Sequence, residues 1–289
     1  MLSRYLIFLL SSFAGILAFE SCTGNYIKAD SGCKEYDLNQ PYILTLNDAL
    51  REISGINFYP KDTSVFAISD ELGYLFKIQL KNRYVTQKWK FDKALDFEDV
   101  SYHDSLFYVL ESNGNIHTLQ FSGKGDTITT QTTVFNPVEK SKNEFESLYY
   151  DSTRKLFIMI CKDCEADKKS SVTAYSYDPE KHVFTPSVFT IDANVIAQKI
   201  GLKKMKFKPS AAGINPLTGD LWILSATNEL LVRADQDGNC KDAYPLNPGL
   251  YTQPEGISFT PKGDMIISNE AGNKHNSPTI FIFKRKKVS

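Results

Sequence analysis

Three glutamates, Glu98, Glu146 and Glu255, open the same short phrase: an acidic residue, a small or acidic one, an apolar one, and an aromatic one two places further on. When repeats close into a ring, residues at equivalent places converge on one end of a shared axis. Carboxylates gathered there repel one another, and at least one takes up a proton unless a cation neutralises the group. Calcium suits such a site, because it accepts about six to eight oxygen ligands in irregular geometry and fills gaps with carbonyls and water. The following strand of the phrase ends in Asp70, Glu111 or Asn269-Glu270, expected as outer ligands or ligand contacts on the same face. Their placement rests on register, since a one-residue slip turns a strand's side chains to the other face. His275, in the loop after Glu270, is placed to reach the channel mouth as an acid or base. His103, His117 and His182 share no repeat position and are expected at the surface or in turns. No Gly-x-Ser-x-Gly elbow marks a serine nucleophile.

The elements that must position these groups are strands. The phrase occurs five times, starting at Ser54, Glu98, Glu146, Ala212 and Glu255, so Ser54 and Ala212 stand where the other copies carry glutamate. Each copy leads to an apolar run such as Val65-Phe-Ala-Ile-Ser69 or Leu221-Trp-Ile-Leu-Ser225, followed by further alternating segments, about four strands per repeat. Thr218-Gly-Asp220, Asp237-Gly238 and Lys262-Gly263 mark tight turns. The starts lie 44, 48, 66 and 43 residues apart, and the last copy runs out of chain one strand short. Tyr42-Ile-Leu-Thr-Leu46, ahead of the first copy, is the strand to complete it, and such closure removes exposed sheet edges. The fold expected is all-β: a five-bladed β-propeller closed by an N-terminal strand. A sixth blade inside the 66-residue interval is the alternative. That interval also holds Asp192 to Gly201, which reads as an N-cap, a short helix and a glycine stop.

A chain of 289 residues with 42% hydrophobic content is long enough for one all-β domain, expected over residues 40–289. A net charge of -1 gives no field to gather nucleic acid, and nothing points beyond a monomer. Residues 1–21 read as a signal peptide: Arg4 precedes the apolar run Tyr5 to Phe19, and Ser21-Cys22 follows as the cleavage point of a lipoprotein signal. The site resembles the relaxed lipoboxes of Bacteroidetes-type lipoproteins. Cys22 would then carry the anchor, with 22–39 as a linker, on a bacterial membrane facing the periplasm or the outside. Cys33, Cys161, Cys164 and Cys240 remain, in a compartment that permits disulfides. Cys161-Lys-Asp-Cys164 lacks the second pair or nearby histidines of a zinc site, which leaves a loop-tying disulfide or two free thiols. Trp89 and Trp222 read as blade packing, and Lys284-Arg-Lys-Lys287 as a solvated end.

Glu52-Ile-Ser-Gly-Ile56, Pro209-Ser-Ala-Ala-Gly-Ile214, Gln253-Pro-Glu-Gly-Ile-Ser-Phe259 and Ile267-Ser-Asn-Glu270 resemble the signatures of the SdiA-regulated (YjiK-like) proteins over roughly residues 40 to 285. The resemblance implies a five-bladed, exported or membrane-attached propeller with a calcium site and no firmly assigned reaction. Two functions follow as expectations. One is a cell-envelope module that binds calcium and recognises a small-molecule or protein ligand. The alternative is a calcium-dependent hydrolase of phosphoesterase or lactonase type, in which the ion polarises the substrate and orients water.

Overall fold

The computed structural model describes residues 32–81, 84–123, 127–135, 143–165, 167, 170–272 and 275–287. The first strand, β1 (Tyr42–Thr45), belongs to the last blade. Blade 1 is β2 (Ile53–Tyr59), β3 (Ser64–Ser69), β4 (Leu72–Gln79) and β5 (Tyr84–Lys90); blade 2 is β6 (Phe97–His103), β7 (Leu106–Glu111), β8 (Ile116–Ser122) and β9 (Thr127–Thr133). Blade 3 is β10 (Asn143–Asp151), β11 (Leu156–Cys164), β12 (Ser171–Asp178) and β13 (Val183–Asp192), and blade 4 is β14 (Ala211–Ile214), β15 (Leu221–Ser225), β16 (Leu230–Ala234) and β17 (Cys240–Pro245). Blade 5 is β18 (Pro254–Phe259), β19 (Met265–Asn269) and β20 (Thr279–Phe283), completed by β1 from Tyr42↔Ile282 to Thr45↔Thr279.

The five-bladed propeller closed by an N-terminal strand is therefore the fold, and the six-blade alternative is excluded. The long third interval carries a helix instead, α1 (Ala193–Lys199), with the Asp192 carboxylate accepting from Asn194 N at 2.8 Å and Gly201 stopping it at φ +77.

The inner strands β2, β6, β10, β14 and β18 touch in a ring around the axis. The second strands β3, β15 and β19 are buried along their whole length, which is why their sequences read as continuous apolar runs. Five apolar clusters fill the five blade interfaces: Ile56 with Ile266, Phe66 with Val109, Leu110 with Met159, Ile160 with Ile223, and Trp222 with Ile267. Trp222 is fully buried, and Trp89 stacks on Phe66 at 6.1 Å. The packed unit starts ahead of residue 40: Tyr36 and Leu38 are buried in the interface of blades 4 and 5, and Tyr36 Oη donates to Gly263 O at 2.6 Å. Cys22 and residues 1–21 lie outside the described residues.

Cys161 and Cys164 are joined by a disulfide, while Cys33 and Cys240 are free thiols. Burial pushes the Cys33 thiol up to about 11, so it stays protonated and unreactive at neutral pH. One histidine departs from expectation. His117 is buried rather than superficial, because Nε2 meets Glu111 Oε2 at 3.2 Å and Nδ1 meets Thr132 Oγ1 at 3.1 Å. His103 stacks on Tyr150 at 3.5 Å, and His182 occupies a turn and meets the Tyr177 hydroxyl.

Candidate functional site

The three glutamates are set apart by a backbone device. In each of their blades the ladder between the inner and second strands skips one residue: Phe97↔Glu111 jumps to Asp99↔Leu110, Phe145↔Cys161 to Ser147↔Ile160, and Pro254↔Asn269 to Gly256↔Ser268. Glu98, Glu146 and Glu255 are the extra residues of these bulges. A bulge frees its residue from the alternation of the strand and re-aims the side chain. Ser54 occupies the same place in blade 1, between Ile53↔Ser69 and Ile56↔Ala67. In blade 4 the register corrects the sequence alignment. Ala212 pairs with Ile223 at the level where Ile257 pairs with Ile267, so the counterpart of Glu255 is Ser210, not Ala212. The phrase misleads there because Ala212-Gly213-Ile214 repeats the Gly-Ile wording of Glu255-Gly256-Ile257 two residues further along the strand.

Both serines latch blades together. Ser54 Oγ donates to Glu98 O at 2.6 Å, and Ser210 Oγ donates to Pro254 O at 2.7 Å. Just past the bulges, Asp99 joins blades 2 and 3. It is fully buried and accepts from Val100 N and Leu148 N, both at 2.8 Å. Burial raises its pKa well above the usual carboxylate range, and the two backbone N–H groups work in the opposite direction.

The glutamates feel one another across the axis. Burial first, then the charge of Glu146, raises the pKa of Glu98; burial, then Glu146 and Glu270, raises that of Glu255. Burial also raises Glu146, while Lys162 opposes the shift. Lys162 stands among the carboxylates, its Nζ bonded to Glu146 Oε1 and 3.0 Å from Glu144 Oε1. The Cys161–Cys164 disulfide closes a small ring around it.

The second-strand residues divide. Glu270 is buried and pushed up to about 8, by burial and then by Glu52, Asp70 and Glu146. Asp70 reaches about 6, through burial and then Asp96, Glu71 and Glu52. Both belong to the carboxylate group. Asn269 is fully buried, and neither its amide oxygen nor its amide nitrogen has a partner among the described residues. Glu111 instead serves its own turn, accepting from Asn113 Nδ2 at 2.6 Å and Asn115 Nδ2 at 2.9 Å besides meeting His117. Glu111→Ala is expected to cost about 1–3 kcal/mol, as unpaired donors do. Thermal melts of the variant check this. His275 is exposed in the β19–β20 connection.

Several participants escaped the sequence reading. Glu52, Asp96 and Glu144 each lie two residues before a bulge position, at Ser54, Glu98 and Glu146, and extending the aligned phrase by two residues exposes them. Lys162, Lys206 and Lys208 line a pocket of about 100 Å³ beside the disulfide, with Asp163, which pairs with Lys208 at 2.9 Å. Lys162 lies on β11, and Lys206 and Lys208 lie together in the connection from α1 to β14, so the three meet only in the fold.

Among the described residues, the metal-type ligand atoms that gather within 4.8 Å of one another are those of Cys161, Cys164 and Asp167, the cysteines being tied in the disulfide. The glutamates stand further apart, around Lys162. All their donors are hard oxygens, and the unpartnered Asn269 amide oxygen sits at the level of the Glu255 bulge. That set fits calcium or another hard cation with water completing its shell, and does not fit a thiophilic metal.

Fold and site together define a five-bladed propeller with a carboxylate-lined mouth. The model of the SdiA-regulated family matches residues 34–273, and the chain belongs to that family. No curated protein matches it in sequence. Among solved structures, it resembles Myxococcus xanthus glutaminyl cyclase at TM-score 0.59 and 13% identity, over 86% of this chain and 96% of that one. The PQQ-bound aldose sugar dehydrogenase of Streptomyces coelicolor aligns at TM-score 0.52 and 10% identity, over 86% and 99% of the two chains. At such identities the likeness is one of fold alone.

Proposed function

We propose that this propeller is a calcium-dependent recognition module of the bacterial cell envelope, anchored as a monomer through a lipid on Cys22. The observation that carries the calcium reading is the grouping of buried Glu146 and Glu270 with half-buried Glu98 and Glu255, opposed among the described residues by the ammonium of Lys162. Ionised together, these carboxylates would exceed the one lysine in a poorly solvated mouth, so the fold favours protons on them, and a divalent cation can take the protons' place. Glu98, Glu146 and Glu255 would hold the ion, with water and the Asn269 amide oxygen as further donors. A bound ion would fix the mouth and offer a Lewis-acidic contact to an incoming small molecule or protein side chain.

A specific observation favours a second reading. Lys162, Lys206 and Lys208 border the pocket beside the ring together with Asp163 and Asp167, Lys162 and Lys208 each being ion-paired to a carboxylate, and Lys206 offers an anionic substrate a cationic contact. This supports a calcium-dependent hydrolase of the phosphoesterase kind over the lactonase kind.

Calorimetric titration of calcium into the wild-type protein, Glu146→Gln and Lys162→Gln tests both readings. Calcium is expected to bind wild type, to bind Glu146→Gln at least about tenfold more weakly, and to bind Lys162→Gln more tightly because the competing ammonium is gone. Absence of calcium binding by both wild type and Lys162→Gln rejects the metal site. Calcium-dependent turnover of an aryl phosphate, lost in Glu146→Gln, selects the hydrolase.

A further inference from the structure

The channel has a second end with the opposite chemistry. From Glu98 to Tyr102, β6 advances about 13 Å along the axis, at the usual rise per residue of a strand. The inner strands draw together between the two ends, where a Cβ on Gly55 would stand 2.4 Å from Asp99 Cα and one on Gly256 would stand 2.7 Å from Ser54 O. Beyond this waist, the second halves of all five inner strands enclose a cavity of about 260 Å³.

No lysine, arginine, aspartate or glutamate contributes to its lining. A charged ligand entering there would lose its hydration without a counter-charge. Polar groups are nonetheless present. Ser101 is buried, and neither its hydroxyl nor the Asn57 side-chain amide bonds to another described residue. Ser258 Oγ accepts from Phe58 N at 2.9 Å and keeps its own O–H free to donate. At the rim stand the rings of Tyr102, Tyr150 and Phe259. His103 stacks on Tyr150 at 3.5 Å, and Tyr59 meets Tyr102 edge-on at 5.2 Å, so two of these rings are held in place.

We infer that this end of the channel binds a neutral sugar ring. A flat arene or a hydrocarbon chain would cover the aromatic rim but displace water from Asn57 and leave the buried Ser101 hydroxyl without a partner, which is costly. A sugar meets both demands, laying C–H faces on the rings and offering hydroxyls as donors and acceptors to Asn57, Ser101 and Ser258. The volume accommodates one ring, and a longer glycan would extend outward past Tyr150.

Saturation-transfer NMR on the full soluble chain in calcium-free buffer tests this, with D-glucose, D-galactose, D-mannose and N-acetyl-D-glucosamine as probes and indole as the flat comparison. At least one sugar is expected to bind with a Kd on the order of millimolar, weakened at least about tenfold by Ser101→Val and by Tyr150→Ala. Glu146→Gln should leave it unchanged. If Ser101→Val does not fold, Asn57→Ala at a half-buried position tests the same polar contact. The inference fails if none of the sugars binds, if binding survives these substitutions, or if indole binds in their place. Because the assay needs no calcium, its outcome is independent of the metal reading.

Discussion

Gly55→Ala is expected to lower the melting temperature by about 10 °C or to prevent folding, whereas Gly213→Ala should be close to neutral. The contrast follows from what each new methyl group would meet. At Gly55 it would stand 2.1 Å from Asp99 Oδ1, 2.4 Å from Asp99 Cα and 2.8 Å from Val100 N, and at Gly213 its nearest neighbour is Ile257 O at 3.4 Å. The contacts at Gly55 include backbone that cannot retreat. β2 is tied to β3 and β6 to β7, and Asp99 is fixed by its bonds to Val100 N and Leu148 N. Overpacking of a well-filled site usually costs about 1–3 kcal/mol. Displacing two inner strands and disturbing the buried Asp99 crosslink belongs at or above the top of that range, and a domain of this size loses about 2–4 °C per kcal/mol. Gly256→Ala should behave like Gly55→Ala, since its methyl would lie 2.3 Å from Ser268 Oγ and 2.7 Å from Ser54 O. Calorimetric melts of the three variants decide the matter. Equal melting temperatures for Gly55→Ala and Gly213→Ala would mean that the waist is not closely packed.

The same crosslink shows where the sequence was legible and where it was not. Blade count, the closing strand and α1 could be read because each rests on local pattern: apolar runs, turn residues, a cap and a stop. The equivalence of Glu98, Glu146 and Glu255 was visible as a repeated phrase. Its cause, a one-residue bulge, was not, because a bulge is defined by the partner strand and leaves no mark on its own. The misplaced counterpart in blade 4 has the same origin. Ala212-Gly213-Ile214 copies the wording of Glu255-Gly256-Ile257, yet pairing with β15 shifts the register and makes Ser210 the equivalent residue. Asp99, the residue after Glu98 in the phrase, is a buried tie between blades, which its neighbours in sequence do not signal. His117 was hidden because its partners Glu111 and Thr132 lie on neighbouring strands. Lys162 reaches the glutamates only because the inner and second strands of blade 3 run side by side there.

The acidic mouth also gives the metal-free protein an unusual response to pH: its melting temperature should fall as pH rises from about 5 to about 8, and calcium should abolish the fall. Glu270 has an ordinary value of 4.5 and is pushed up to about 8 in the fold, by burial first and then by Glu52, Asp70 and Glu146. Asp70 goes from 3.8 to about 6, and Glu98, Glu146 and Glu255 move in the same direction. A group whose folded pKa is raised favours folding in its protonated form. That stability is fully present below the unfolded value and is lost as pH passes up through the folded one. For Glu270 the loss is on the order of 4 kcal/mol, and Asp70, more open to solvent, adds less. Lys162 does not offset the trend, because its own pKa is raised by Glu146 and Glu144 and its charge is constant across this window. A calcium ion bound as proposed would select the ionised carboxylates and compete with protons: its affinity should weaken as pH falls towards 5, and its stabilising effect should be greatest near pH 8. Melts in chelator and in saturating calcium across this range measure both effects. A melting temperature that is flat or rises with pH in chelator would show that the carboxylates are ionised and satisfied without an ion, with Lys162 and water sufficient to hold them.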